Sequence, residues 1–455
     1  MVNNTIKSTK NKLVLKTKLI LFVAFLTSIA TFSQKKWTLK ECVDQALEKN
    51  ISIQQNKLSL ELAKKDVEIA KGNFLPNLSG SSSGRFGFGS IIDNISNARI
   101  STDNFNASFD LSSNVTIFNG FRNTNTFKQA QLGVESSILD LKKIENDISL
   151  FVVNGYLNVL FAKENLAAAK VQYEISKKQI EAAEARFKSG VIPKGDLLTT
   201  QSTAATNLQT VIAQENALDL ALLNLAQLLQ EPSEGFDVMP IDVGTPSANL
   251  FYKNSSVIYD KSLDRMPEIE RAKLAIENAD LNIELAKGAF LPSAALFGGM
   301  GTGYSHRFNE IFTNDYFFKQ LNDNLGYNLG VSLNVPIFNR FQTKNRVAQS
   351  VISKQISETQ LESEKLNLKQ TIEQSFLDVK TALKSYEAAK ISLEAQQEAF
   401  KNAQERYNFG AMTQFDFDQV RTRLVNAQAT LISSKYDYVF KTKVLQFYAG
   451  DLVLE

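Results

Sequence analysis

Few residues of this chain could do chemistry. One cysteine, Cys42, and one histidine, His306, leave no internal disulfide and no Cys/His metal centre to assemble. No Ser/His/Asp set can be built around that lone histidine, and the acids are scattered over helix surfaces, where solvation is their ordinary state. No catalytic residue, metal or cofactor is therefore expected. One pairing does stand out. RFKSGVIPKGD (186–196) and RYNFGAMTQFD (406–416) each place an Arg–aromatic pair, a Gly and an Asp at the same offsets, 220 residues apart. Gly190 and Gly410 fit helix C-caps, which need positive φ. Asp196 and Asp416 could each favour the N-terminus of a following helix. Thr413 with Asp416 fits an N-cap and its third-position acid. The run GGMGTG (298–303) lacks the Lys-Ser/Thr and helix start of a phosphate loop, and reads as strand glycines.

The elements that would hold these residues begin after a leader. In residues 1–33, five lysines and no acids precede LILFVAFLTSIA, with small residues at Thr31 and Ser33 before Gln34. This is the pattern of a secretory signal, and about 12 apolar residues fall short of the ~20 of a membrane helix. Removing those lysines takes the formal charge from +2 to −3. A nearly neutral chain gives a nucleic-acid partner no electrostatic support. Cys42 is no lipid-attachment site, because a charged pair precedes it and the apolar run ends well upstream. It shares a helix face with Leu39, Val43, Ala46 and Leu47, opened by Thr38 with Glu41 completing a capping box. No later segment is a membrane helix.

The chain repeats itself. IAKGNFLPNLSG (69–80) answers LAKGAFLPSAAL (285–296) at an offset of 216, and TIFNGFRN (116–123) answers PIFNRFQT (336–343) at 220. Each half runs in one order: a helix stopped by Gly72 or Gly288 before Pro76 or Pro292, two strands around a polar loop, a very long helix, a tip and a returning helix. This predicts a first repeat over 34–231 with its tip at 189–195. A Pro/Gly/Ser-rich linker follows over 232–264, and a second repeat over 265–455 with its tip at 409–415.

Thirteen residues from Phe105 to Ile117, and again from Leu325 to Ile337, alternate between an apolar and a polar face. Weaker, Gly-rich partners are expected at 77–89 and 292–304, with loops at 90–104 and 305–324. The aromatics of the second loop (Phe308, Phe312, Tyr316, Phe317, Phe318) read as a membrane-interface belt or a loop over a mouth. Phe121–Lys188 and Phe341–Asn408 hold 68 residues each without proline; a continuous helix of that length spans roughly 100 Å. Ile372, Phe376, Val379, Leu383 and Tyr386 form a heptad seam, continued by Leu393 and Phe400. Val152, Tyr156, Val159, Leu166, Tyr173, Ile180 and Phe187 form its counterpart. Strands of ten to thirteen residues match the ~9–11 that cross a bilayer. Four strands cannot close a membrane barrel, since known barrels begin at about eight, so the membrane reading requires several copies.

This order, with WTLKECVDQAL (37–47), the FLP helix ends and the duplicated tip, resembles the TolC-type outer-membrane efflux channel family over essentially all of 37–450. The resemblance implies a mainly α protomer with a small β part. Three copies would form a twelve-stranded outer-membrane β-barrel of a Gram-negative bacterium, continued by an antiparallel α-helical tunnel through the periplasm. It implies export of small molecules or proteins, with a periplasmic adaptor and an inner-membrane transporter as partners and outer-membrane lipid around the barrel. The adaptor would dock at Gly190, Val191, Gly410 and Ala411, although Ser189 departs from the hydrophobic first position of the docking motif. Asp196 and Asp416 would lie near a closed mouth. There Met412 replaces the expected basic partner and Gln419 the second pore-ring acid, while Tyr407 is retained. The expected gate is therefore packed from Phe187, Tyr407, Met412 and Phe415 more than salt-bridged. A wall of Ser, Asn, Gln and Ala carries little selectivity, which leaves cargo choice to the pump. The alternative is a secreted or periplasmic coiled-coil scaffold or adhesin without a pore, which needs neither barrel strands nor a repeated tip.

Overall fold

The computed structural model describes residues 36–92, 95, 97–101, 103–241, 252–308 and 315–451. The leader lies outside these residues, as do parts of both expected loops and of the linker. In chain order the elements are β1 (Lys36–Trp37), α1 (Leu39–Lys49), α2 (Ile51–Gly72), β2 (Asn77–Gly87), β3 (Ser90–Ile92), β4 (Arg99–Ser101) and β5 (Asn104–Phe118). Then come α3 (Arg122–Lys188), α4 (Lys194–Leu229), β6 (Asp237–Val238), α5 (Ser255–Leu263), α6 (Pro267–Gly288) and β7 (Ser293–Arg307). The chain continues with α7 (Phe317–Asp323), β8 (Gly326–Asn334), α8 (Gln342–Asn408) and α9 (Gln414–Ala449). Two compact units result, each drawing on separate stretches of chain: Met1–Gln54, Glu145–Ser262 and Gln370–Glu455 in one, Gln55–Ile144 and Leu263–Lys369 in the other.

The second unit holds an antiparallel sheet in the order β2-β5-β7-β8. Its register keeps the alternation in phase across all four strands. Phe105 faces Phe86 and His306, Leu111 faces Gly80 and Met300, and Met300 faces Tyr327, so one face is mainly apolar, interrupted by Ser82, Ser113, Thr302 and His306. Much of that face is open, with Leu329 80% exposed and Leu78 71%. α7 lies against one end of it: Phe317 meets the rings of Phe109 and Tyr304 at 6.3 and 5.0 Å, and Thr302 donates to the Leu321 carbonyl at 2.6 Å. The other face carries hydroxyls and amides, with Ser79–Ser112 and Ser83–Ser108 hydroxyl pairs at 2.9 Å and Ser305 donating to Asn106 at 2.8 Å. β8 stops at Asn334, short of the Ile337 expected from the alternation. Pro336 cannot donate to a ladder, and β7 offers no residue beyond Ser293 to pair with.

The helices of this unit join through polar contacts. Asn123 donates to the carbonyl of Asn73 (2.9 Å), Gln129 to Asn278 and Asn282 (3.0 and 2.9 Å), and Arg271 pairs with Asp140 and Lys354 with Asp280. Where β5 turns into α3, Gly120 (φ 68°) crosses Gly288 so closely that a Cβ on either would collide with the other's carbonyl oxygen. Both positions need glycine.

The first unit buries the upper heptad seam. Val152, Tyr156 and Val159 on α3 are fully enclosed, as is Ile372 on α8. α1 opens with the expected capping box of Thr38 and Glu41, and Cys42 is core. β1 pairs in parallel with β6, and Tyr156 donates to the carbonyls of Trp37 (3.2 Å) and Met239 (2.7 Å) beside them. Lys163 closes on Asp237 and also donates to the carbonyl of Val238. Burial, the largest influence, pushes the Asp237 carboxyl up. The hydrogen bonds from Lys163 and the Val238 amide, with the charges of Lys163 and Lys36, outweigh it and hold the group below its usual value.

Candidate functional site

The two tips are built alike. α3 ends at Lys188 and α8 at Asn408, each in a Schellman motif. At the first tip the amides of Gly190 and Val191 donate to the carbonyls of Phe187 and Arg186, both at 2.9 Å. At the second, Gly410 and Ala411 donate to Tyr407 and Arg406 at 3.0 and 2.8 Å. Gly190 (φ 73°) and Gly410 (φ 71°) sit in the left-handed region, which explains the repeated glycine. Val191 projects 70% exposed and Phe409 87%, so both tips present apolar side chains to solvent.

The return helices start differently. Thr413 caps α9, its Oγ1 accepting from the Asp416 amide (3.2 Å) and donating to the Asp416 carboxylate (2.7 Å). Asp416 is thereby held by the cap. α4 has Pro193 at its N-cap, which offers no side-chain acceptor, and the Asp196 amide bonds to the Pro193 carbonyl at 3.1 Å. The Asp196 carboxylate has no hydrogen-bond or ion-pair partner among the described residues.

Of the four residues expected to pack the gate, Tyr407 alone is held in a ring cluster. It stacks on Phe417 at 4.7 Å, and the Arg186 guanidinium covers it at 5.1 Å from the ring centre. Phe400 adds a third ring, 5.5 Å from Phe417. Burial pushes the Tyr407 phenol up, against the opposing charge and hydrogen bond of Arg186. Phe187 and Phe415 are 39% and 69% exposed, and neither makes a ring contact with Tyr407. Met412 lines a separate groove with Arg406, Gly410 and Asp416. Beneath the rings the buried Arg421 pairs with Asp418 at 2.8 Å and donates to Gln179. Arg186, Phe417, Asp418 and Arg421 were not singled out as site residues from the sequence. The Arg–aromatic pair of each tip was the available signal for Arg186.

A sheet with one largely open apolar face and two unpaired edges, in a chain with two capped helical tips, belongs to the class of bilayer-crossing β proteins that also carry long helices. Comparison with known proteins fixes the family. Residues 42–230 and 258–451 match the outer membrane efflux protein family, and the chain belongs to it. The outer membrane efflux protein BepC of Brucella suis biovar 1 is 22% identical over 436 residues, covering 94% of this chain and 88% of that protein. TolC of Vibrio cholerae is 24% identical over 313 residues, 68% of each chain. Among solved structures, the Campylobacter jejuni CmeC outer membrane channel superposes with a TM-score of 0.67 at 20% identity, over 92% of this chain and 86% of that one.

Proposed function

We propose that three copies of this chain form a passive outer-membrane conduit, fed by an inner-membrane transporter through a periplasmic adaptor. The observation that carries the trimer is the open sheet. Unpaired edges cannot face lipid, because each unsatisfied backbone group there costs several kcal/mol. In the antiparallel order β2-β5-β7-β8 the two edge strands run in opposite directions, so β8 of one copy meets β2 of the next antiparallel. Three copies give twelve strands, an even number within the range of membrane barrels. The apolar face then meets lipid, and the Ser/Asn face lines a wet lumen.

The adaptor docks on the tips, at Gly190, Val191, Gly410 and Ala411, where exposed apolar side chains flank a rigid turn. The gate gathers Asp196, Asp416, Phe187, Tyr407, Met412 and Phe415 where copies meet. Tyr407 is anchored from within its own chain, while the exposed Phe187 and Phe415 are left to contact neighbours. The cargo is small molecules or protein, as the names of relatives that export pyoverdine, alkaline protease or cations illustrate. Planar-bilayer recording of the purified protein tests the conduit. Wild type should open discrete ion-conducting steps, and Met412→Arg should lower the single-channel conductance by placing a base beside the gate acids. Unchanged conductance in that variant would count against the gate.

A further inference from the structure

Just inside the tips, α3, α4, α8 and α9 enclose a cavity of about 290 Å³ beside the Tyr407 stack, and one chain supplies all of its lining. α3 gives it an apolar side, Ile175, Ala182 and Ala183, and two cations, Lys178 and Arg186. Thr200 of α4 and the rings of Tyr407 and Phe417 complete the walls, with the amides of Gln404 and Asn408 at the side. Among the described residues no carboxylate lines it. The acids close by are engaged or set apart. Asp418 is held by Arg421 and accepts from the Gln414 amide at 3.0 Å, and Asp196 acts on the Tyr407 phenol from outside the lining. Lys177 pairs with Glu174 at 3.0 Å, but its neighbour Lys178 has no ion-pair partner among the described residues. Arg186 rests one face of its guanidinium on Tyr407 and likewise meets no acid there.

We propose that this cavity binds a small aromatic anion, one per chain, with its acid group on Lys178 and its ring over Arg186. A guanidinium stacks on planar rings, and with one face on Tyr407 its second face is left for a ligand. An ammonium next to a carboxylate or sulfonate makes a charge-assisted hydrogen bond, about twice as strong as a neutral one. Eight residues separate the two cations, about 12 Å along the helix, which suits an elongated ligand with its charge at one end. The volume lies at the small end of ligand pockets, room for about two fused rings. The internal repeat does not impose this charge pattern. At the positions 220 residues away, Lys178 is answered by Glu398, and Gln404 by Glu184, so the counterpart groove turns acidic where this one is basic. An occupant touching four helices would also tie the two hairpins of one chain together by mass action. Because a single chain builds the site, it stands independently of how copies assemble.

Calorimetric titration of the intact protein in a neutral detergent tests the site, with naphthalene-2-sulfonate as the probe and the heat of micelles alone subtracted. The sulfonate should saturate at one per chain. The neutral alcohol and the cationic amine on the same ring system, naphthalene-2-methanol and naphthalen-2-ylmethylammonium, should each bind roughly tenfold more weakly or worse, the factor that one charge-assisted contact supplies. Lys178 is exposed, so Lys178→Gln should fold with an unchanged melting temperature. That variant should lose roughly tenfold in affinity for the sulfonate and nothing for the alcohol, while Lys178→Arg keeps the preference for the anion. Absence of saturable sulfonate binding overturns the site. Equal binding of sulfonate and alcohol overturns its preference for anions, and wild-type affinity in Lys178→Gln overturns the placing of the acid group.

Discussion

Arg421 carries the clearest energetic consequence of any single side chain. It is 4% exposed, held by Asp418 and Gln179, beneath the stack of Tyr407 on Phe417. Removing either partner of a buried ion pair typically costs about 3–5 kcal/mol, whereas replacing the whole pair by apolar groups of similar volume is often near neutral. Asp418→Ala should therefore destabilise the tip more than the paired change Asp418→Leu with Arg421→Met, toward the low end of that range because Asp418 keeps some contact with water. Thermal unfolding of the detergent-solubilised protein compares the two, and equal losses would refute the argument. The sequence could not point to Arg421. One arginine among many on a helix looks solvated until the neighbouring helices that enclose it are known.

The long helices and the four main strands were legible because their signals are periodic and local. The proline-free stretches predict α3 and α8 to within a residue at their starts, and thirteen alternating residues predict β5. What escaped is made of short pieces joined across the chain. β1 and β6 are two residues each, some 200 apart in sequence, and carry no period; α7 sits inside a stretch that reads as loop. For the tips, Gly190 and Gly410 were readable as caps, while the ring stack at Tyr407 depends on side chains from three helices meeting. The β1–β6 clip has its own test. Asp237 titrates below its usual value, so its stabilisation is complete above the unfolded value of about 3.9 and is lost as pH falls through the lower folded one. Asp237→Asn should lower the melting temperature at pH 7 and converge on wild type once the pH has fallen through the lowered folded-state value. A constant difference across that window would mean Asp237 acts through packing. On the tip element, Val191→Asp changes an exposed residue and should shift stability by no more than about 0.5 kcal/mol. If the tips dock a periplasmic adaptor as proposed, it should still abolish crosslinking to that adaptor and export in cells, and normal export would remove Val191 from the proposed docking surface.

At the scale of the whole assembly, the two aspartates that look equivalent in sequence should behave differently. Three copies would set three Asp196 and three Asp416 carboxylates around the mouth. Asp416 is spoken for: it accepts from Thr413 and lies in the first turn of α9, where a carboxylate is worth about 0.3–1 kcal/mol to the helix. Asp196 follows a proline cap and has no side-chain partner among the described residues, so its charge is available to ions in the lumen. A ring of like charge in a narrow wet passage raises the local concentration of counter-ions and favours cations. Asp196→Asn should accordingly reduce cation selectivity, read as a shift of reversal potential toward zero under a salt gradient, with little change in melting temperature. Asp416→Asn should move the reversal potential less and the stability of the tip more, because a lost cap acts on the helix before it acts on the pore. Matching effects from both substitutions would show that the cap does not withhold Asp416 from the lumen, and the mouth would then be a ring of six equal charges.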